Sequence, residues 1–217
     1  MRFPNAFKGV KKIFTAEILS LLSVVAMLVS AVLSVIVQAS LTDDLTPGTA
    51  AVALTLLITA VASAVFAIVG GIILVVGVIQ ASKDEGAFKI SLVAVILGLI
   101  ATGIYAAFSA STNVQSISQS VIQICHLVTN IFVIQGIINL SLKLDNEKVC
   151  VKGKKILNLI TVIYILIFIA YLFISIIGGS MASLIAGIIS IVAAVLAIIN
   201  YFLYLSYLST AKKMLSE

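Results

Sequence analysis

Gln115, Gln119, Gln123, His126 and Asn130 follow one another at spacings of four, four, three and four residues in a stretch that is otherwise mostly apolar. At about 100° per residue of a helix they fall within about 80° of arc, and Thr112 joins them. Ile117, Ile124, Leu127 and Ile131 take the opposite side. Carboxamides and a neutral imidazole offer hydrogen-bond donors and acceptors without fixed charge. Such a row suits the recognition of an uncharged or amphipathic solute, or hydrogen bonding to neighbouring helices. An unperturbed imidazole also titrates near neutral pH, which admits a proton relay.

Other chemistry is sparsely provided. No Asp or Glu falls within the apolar segments beyond the first, there is one histidine, and Cys125 and Cys150 form no CxxC pair. A serine triad, paired carboxylates, and a zinc or haem site all lack their partners. The expectation is a protein without catalytic residues, cofactor or metal. Glu17, near Lys11 and Lys12, reads as a helix N-terminal charge offset by lysine; a proton or cation site is its alternative reading.

These residues must be positioned by membrane helices. Of the 217 residues 62% are hydrophobic and 10% charged, and mean hydropathy is +1.30. Apolar runs of about 20 residues read as transmembrane helices. Six are expected, at about 14–38, 50–80, 88–110, 115–141, 156–177 and 182–208, in an all-α polytopic membrane protein with one transmembrane domain over 1–217. Val37-Gln38-Ala39 has the form of a signal-peptidase site, but the run before it is too long for a signal-peptide core, so a retained anchor is expected.

The 13 Lys and Arg residues all lie in or at the edge of the leader, the second loop, the fourth loop or the tail, and none in loops one, three or five. By the positive-inside rule both termini are cytoplasmic. The short loops point to a bacterial cytoplasmic (plasma) membrane. The same placement explains the net charge of +5 without nucleic acid as a partner.

Small residues recur every four positions, as in Ala26, Ser30 and Ser34, in Ser63, Ala67 and Gly71, and in Ala182, Ala186, Ser190 and Ala194. Such rows allow helix backbones to approach closely. Tyr164, Phe168 and Tyr171 share a face toward lipid or a groove, and Tyr201, Tyr204 and Tyr207 read as an interfacial aromatic belt, with ligand stacking as the alternative. Three tracts align without gaps: Gly71-Gly77-Gln80, Asn130-Gly136-Asn139 and Asn200-Ser206-Ser209. They suggest three hairpin repeats. Three hairpins resemble mitochondrial carriers in outline, but Pro4 and Pro47 fall outside the expected helices and the carriers' proline-acid-basic signature is missing. The length, helix number and basic charge also resemble bacterial vitamin-transporter substrate-binding subunits, in architecture alone.

Two functions follow from the polar stripe. One is binding, and with it translocation, of a small uncharged or amphipathic molecule or lipid in a half-depth cavity lined by Gln115, Gln119, Gln123, His126 and Asn130. The other is a non-transporting accessory, immunity or assembly subunit that docks a membrane partner or a second copy through small-residue faces.

Overall fold

The computed structural model describes residues 2–40, 47–108, 111–172 and 179–216. Among them are six helices: α1 (Pro4–Ser40), α2 (Pro47–Ala81), α3 (Ala87–Ala107), α4 (Thr112–Lys143), α5 (Glu147–Leu172) and α6 (Gly179–Ser216). All six are long and apolar enough to cross a membrane, and the chain is an integral, multi-pass membrane protein. The first connection's Asp43 and Asp44, the Ser109 start of the third and the turn at Gly178 lie outside the described residues.

Each helix packs on its neighbours in sequence, most closely within the hairpins α1–α2, α3–α4 and α5–α6, and α6 closes on α1. The termini therefore share one end, called basal here. Three helices extend further at that end than apolar runs alone predict. α1 starts at Pro4 rather than about residue 14, α5 at Glu147 rather than about 156, and α6 continues to Ser216 rather than about 208. Pro4 and Pro47 are the first residues of α1 and α2, where a missing N–H costs no helical bond.

The extensions are amphipathic. Ala6, Val10 and Ile13 of α1, Val149 and Ile156 of α5, and Tyr207, Leu208, Ala211 and Leu215 of α6 are buried, while Lys8, Lys11, Lys152, Lys154 and Lys213 stay exposed. With Val78 and Ala81 of α2, Phe88 of α3 and Val133, Ile134, Ile137 and Leu140 of α4 they form the hydrophobic core. Packing there is tight. A Cβ on Gly9 would lie 2.5 Å from the Gly77 carbonyl oxygen, and one on Gly136 would lie 2.7 Å from the Phe88 ring.

The short basal connections tie the helices together. Asp84 accepts the Ala6 N–H at 2.7 Å and the Asn5 Nδ2 at 2.9 Å, which caps α1 from the α2–α3 linker. Glu85 accepts from Asn139 at 3.0 Å and from Lys143 at the end of α4. Burial opposes charge on the Glu85 carboxyl, but the Lys143 ammonium and the Asn139 amide outweigh it and hold the group below 4.5. α4 ends in a Schellman turn: Asn146 N–H bonds the Ser141 carbonyl at 2.8 Å across Asp145, whose φ is 51°. Asn146 Oδ1 then accepts the Val149 N–H and opens α5.

From the base outward, the hairpins are held by small residues at intervals of seven rather than four. Gly9, Ala16 and Ser23 of α1 meet Gly77, Gly70 and Ser63 of α2 in antiparallel register. Ser23 and Ser63 hydroxyls each bond the other's carbonyl at 3.0 Å, and Ser30 bonds Thr59 at 2.7 Å. Gly70, not Gly71, is the contact glycine: a Cβ on Gly71 would meet nothing within 4 Å. α5 buries Val149, Ile156, Ile163 and Ala170, and α6 buries Ala186, Ala193 and Tyr207, again in steps of seven or multiples of it. A repeat of seven keeps both seams facing as antiparallel helices coil left-handedly.

Candidate functional site

Three helices bring chemistry together at one place. α4, α5 and α6 enclose a cleft of about 290 Å³, close to the lower limit of small-molecule pockets. From α4 come His126, Leu127, Asn130 and Ile134; from α5, Ile160, Ile163, Tyr164 and Ile167; from α6, Ala197, Asn200, Tyr201 and Tyr204. Steps of three and four put each set on one helical face. α5 gives a wall of isoleucine, while α4 and α6 add two carboxamides, an imidazole and two phenols.

The stripe expected from sequence divides here. His126 and Asn130 line the cleft; Gln115, Gln119 and Gln123 do not. Gln119 and Gln123 are exposed. Upper α4 instead buries Ser118, Cys125 and Thr129, roughly 100° round the helix from the stripe. That face packs on α3, where the Ser91 hydroxyl bonds the Thr129 carbonyl at 3.3 Å and Gly98 leaves room for Cys125. Ile117 and Ile124, expected on the apolar side, are exposed as lipid-facing residues are.

The α6 tyrosines are not an interfacial belt. Tyr204 is 4% exposed and Tyr207 is 1% exposed. Tyr207 donates to the Ile134 carbonyl at 3.4 Å. Tyr201 donates to the backbone carbonyl of Glu17 at 2.8 Å and lies 3.4 Å from its carboxylate. Among the described residues the Tyr204 hydroxyl and the Asn200 Oδ1 are buried without a partner. Buried polar groups seldom go unpaired, because the lost hydration is not recovered.

Glu17 also departs from its sequence reading. With α1 starting at Pro4, it sits in the fourth turn and not at the N-terminus. Among the described residues the ion pair is Lys143–Glu85, so Glu17 is not bridged to Lys11 or Lys12. Its partner is Tyr201 on α6.

Asn200, Tyr201 and Tyr204 were the members that sequence reading did not assign to a site. One signal for Asn200 was present: the gapless alignment makes it the counterpart of Asn130, and both line the cleft. The same alignment pairs Gly77 with Gly136, each pressed against the preceding helix, whereas its third member, Ser206, is exposed. Among the described residues no three metal-ligating side chains converge. No protein-family model, curated protein or solved structure matches the chain.

Proposed function

We propose that the protein binds a small uncharged or amphipathic molecule, or a lipid, in the α4–α5–α6 cleft, and that any translocation uses the same cleft. On this reading it is a binding protein and not an enzyme. One observation carries it: an isoleucine wall faces Asn200 and Tyr204, whose buried oxygens have no partner among the described residues. A ligand that hydrogen-bonds these oxygens and lays apolar surface on α5 recovers both kinds of free energy. His126 and Asn130 offer further polar contacts on the opposite wall.

Cysteine labelling tests the reading. In a background with Cys125 and Cys150 replaced, cysteines at Asn130, Ile163 and Ala197 are expected to react with a thiol reagent until a bound ligand protects them. A cysteine at Ile124 should label equally with and without ligand. Equal labelling at all four positions in the presence of every candidate ligand overturns the cleft. In a bacterial cytoplasmic membrane with cytoplasmic termini, a reporter fused after Ser116 is outside; a cytoplasmic reporter reverses the topology.

A second reading, the accessory subunit, has its own support on α6. Nothing lies within 4 Å of a Cβ on Gly187, and Ser190 and Ala194 are exposed on the same side. Gly187→Leu is expected to abolish stoichiometric co-purification of a membrane partner on this reading, and to leave ligand protection in the cleft unchanged on the first.

A further inference from the structure

Taking the cleft as the binding site, we infer that its ligand is an amphipathic amine, whose ammonium group sits against Asn200, Tyr201 and Tyr204 with Glu17 behind them as the counter-charge. Among the described residues the Asn200 carboxamide oxygen and the Tyr204 hydroxyl are buried with no hydrogen-bond partner. Tyr201 has spent its proton on the Glu17 carbonyl, and the Ser20 side chain bonds the same phenol oxygen. Residues 200, 201 and 204 lie on one face of α6 and line the same cavity. That end of the cleft therefore has two oxygens, on Asn200 and Tyr204, without a partner among the described residues.

The Asn200 Nδ2 and the Tyr204 O–H can donate as well, so hydrogen bonding alone admits an alcohol or amide beside an amine. A primary ammonium brings three N–H donors and no acceptor. Charge makes the choice. Glu17 is a carboxylate within a membrane-spanning helix, and no lysine, arginine or histidine among the described residues pairs with it. Ionisable groups in such a setting face a partner or a polar cavity. Glu17 reaches the cleft through Tyr201, whose hydroxyl contacts both its backbone and its carboxylate. The isoleucines of α5 then accommodate the apolar body of the molecule.

The test uses the full chain in lipid nanodiscs, with empty nanodiscs as the blank, and saturation binding of radiolabelled 2-phenylethylamine at neutral pH. Its comparators are 2-phenylethanol, which keeps shape without charge, and the trimethylammonium analogue, which keeps charge without N–H donors. The amine is expected to bind at least tenfold more tightly than either. Glu17→Gln should weaken the amine at least tenfold and leave 2-phenylethanol unchanged, and Tyr204→Phe should weaken the amine threefold or more. Ala197→Trp, which fills the cleft, should abolish binding of all three. Equal affinity for amine and alcohol, or wild-type amine binding by Glu17→Gln, overturns the amine while Ala197→Trp still upholds the cleft. Saturable binding that survives Ala197→Trp, or no saturable binding at all, overturns the cleft and the amine together. Should Glu17→Gln fail to fold, the three ligands on the wild-type protein decide the question alone.

Discussion

The basal end and the membrane-spanning halves of the same helices are held together by different forces. At the base, large side chains such as Phe88, Ile134, Leu140 and Tyr207 are withdrawn completely, as in the core of a water-soluble protein. Further along, Leu28, Leu57, Ile100, Ile117 and Ile191 are exposed, and the hairpins meet through glycine, alanine and serine. Water explains the first arrangement, because apolar surface there is driven together. Lipid explains the second: it solvates leucine as well as another leucine does, so close backbone approach and hydrogen bonds must supply the attraction. The cleft lies where one regime gives way to the other.

The contrast can be broken most severely at Gly9. Its Cβ would collide with backbone atoms of Gly77 and Ala81, at 2.5 and 2.6 Å, which cannot move aside as a side chain can. Gly9→Val is expected to cost about 3 kcal/mol or more, or to prevent folding, as followed by circular dichroism during SDS titration of mixed micelles. Gly103→Ala, with nothing within 4 Å, should be neutral or stabilising by up to about 1 kcal/mol. Comparable costs at the two glycines would erase the distinction between base and membrane half.

Deletion of core volume comes next. Leu140→Ala should destabilise by about 2–5 kcal/mol in the same assay, and Ile117→Ala, on the lipid-facing side, by less than about 0.5 kcal/mol. Ser23→Ala and Ser30→Ala sharpen the picture of the hairpin seam, each with an expected cost of about 0.6 kcal/mol. The smallest effect belongs to the basal ion pair. Lys143→Met is expected to cost less than about 1 kcal/mol. Because the folded state holds Glu85 below its ordinary 4.5, its contribution is complete above that pH and is lost as the pH falls through the lower folded value. Acid titration of Glu85→Gln should lack that component.

Number, order and hairpin pairing of the helices were legible because a run of about 20 apolar residues has few other uses. The basal extensions were not, since a search for uncharged runs stops at Lys12, Lys155 or Lys212. A 3.6-residue period was nonetheless present, in Phe3, Phe7, Val10 and Phe14 and in Val149, Gly153, Ile156 and Ile160. His126 and Asn130 were found by polarity against an apolar background. Tyr201 and Tyr204 escaped because a tyrosine near a helix end satisfies the description of a membrane-interface residue equally well. Only burial separates the two cases. Glu17 was misread through its helix boundary: moving the start of α1 from about 14 to 4 converts a terminal charge into an interior one.

The bond between Tyr201 and Glu17 joins residues 184 positions apart. At about 5–20 residues per second of synthesis, roughly 10–40 s separate the appearance of the two. Throughout that interval the first helix carries a carboxyl whose phenol does not yet exist. A chain truncated before α6 would keep that carboxyl without its phenol.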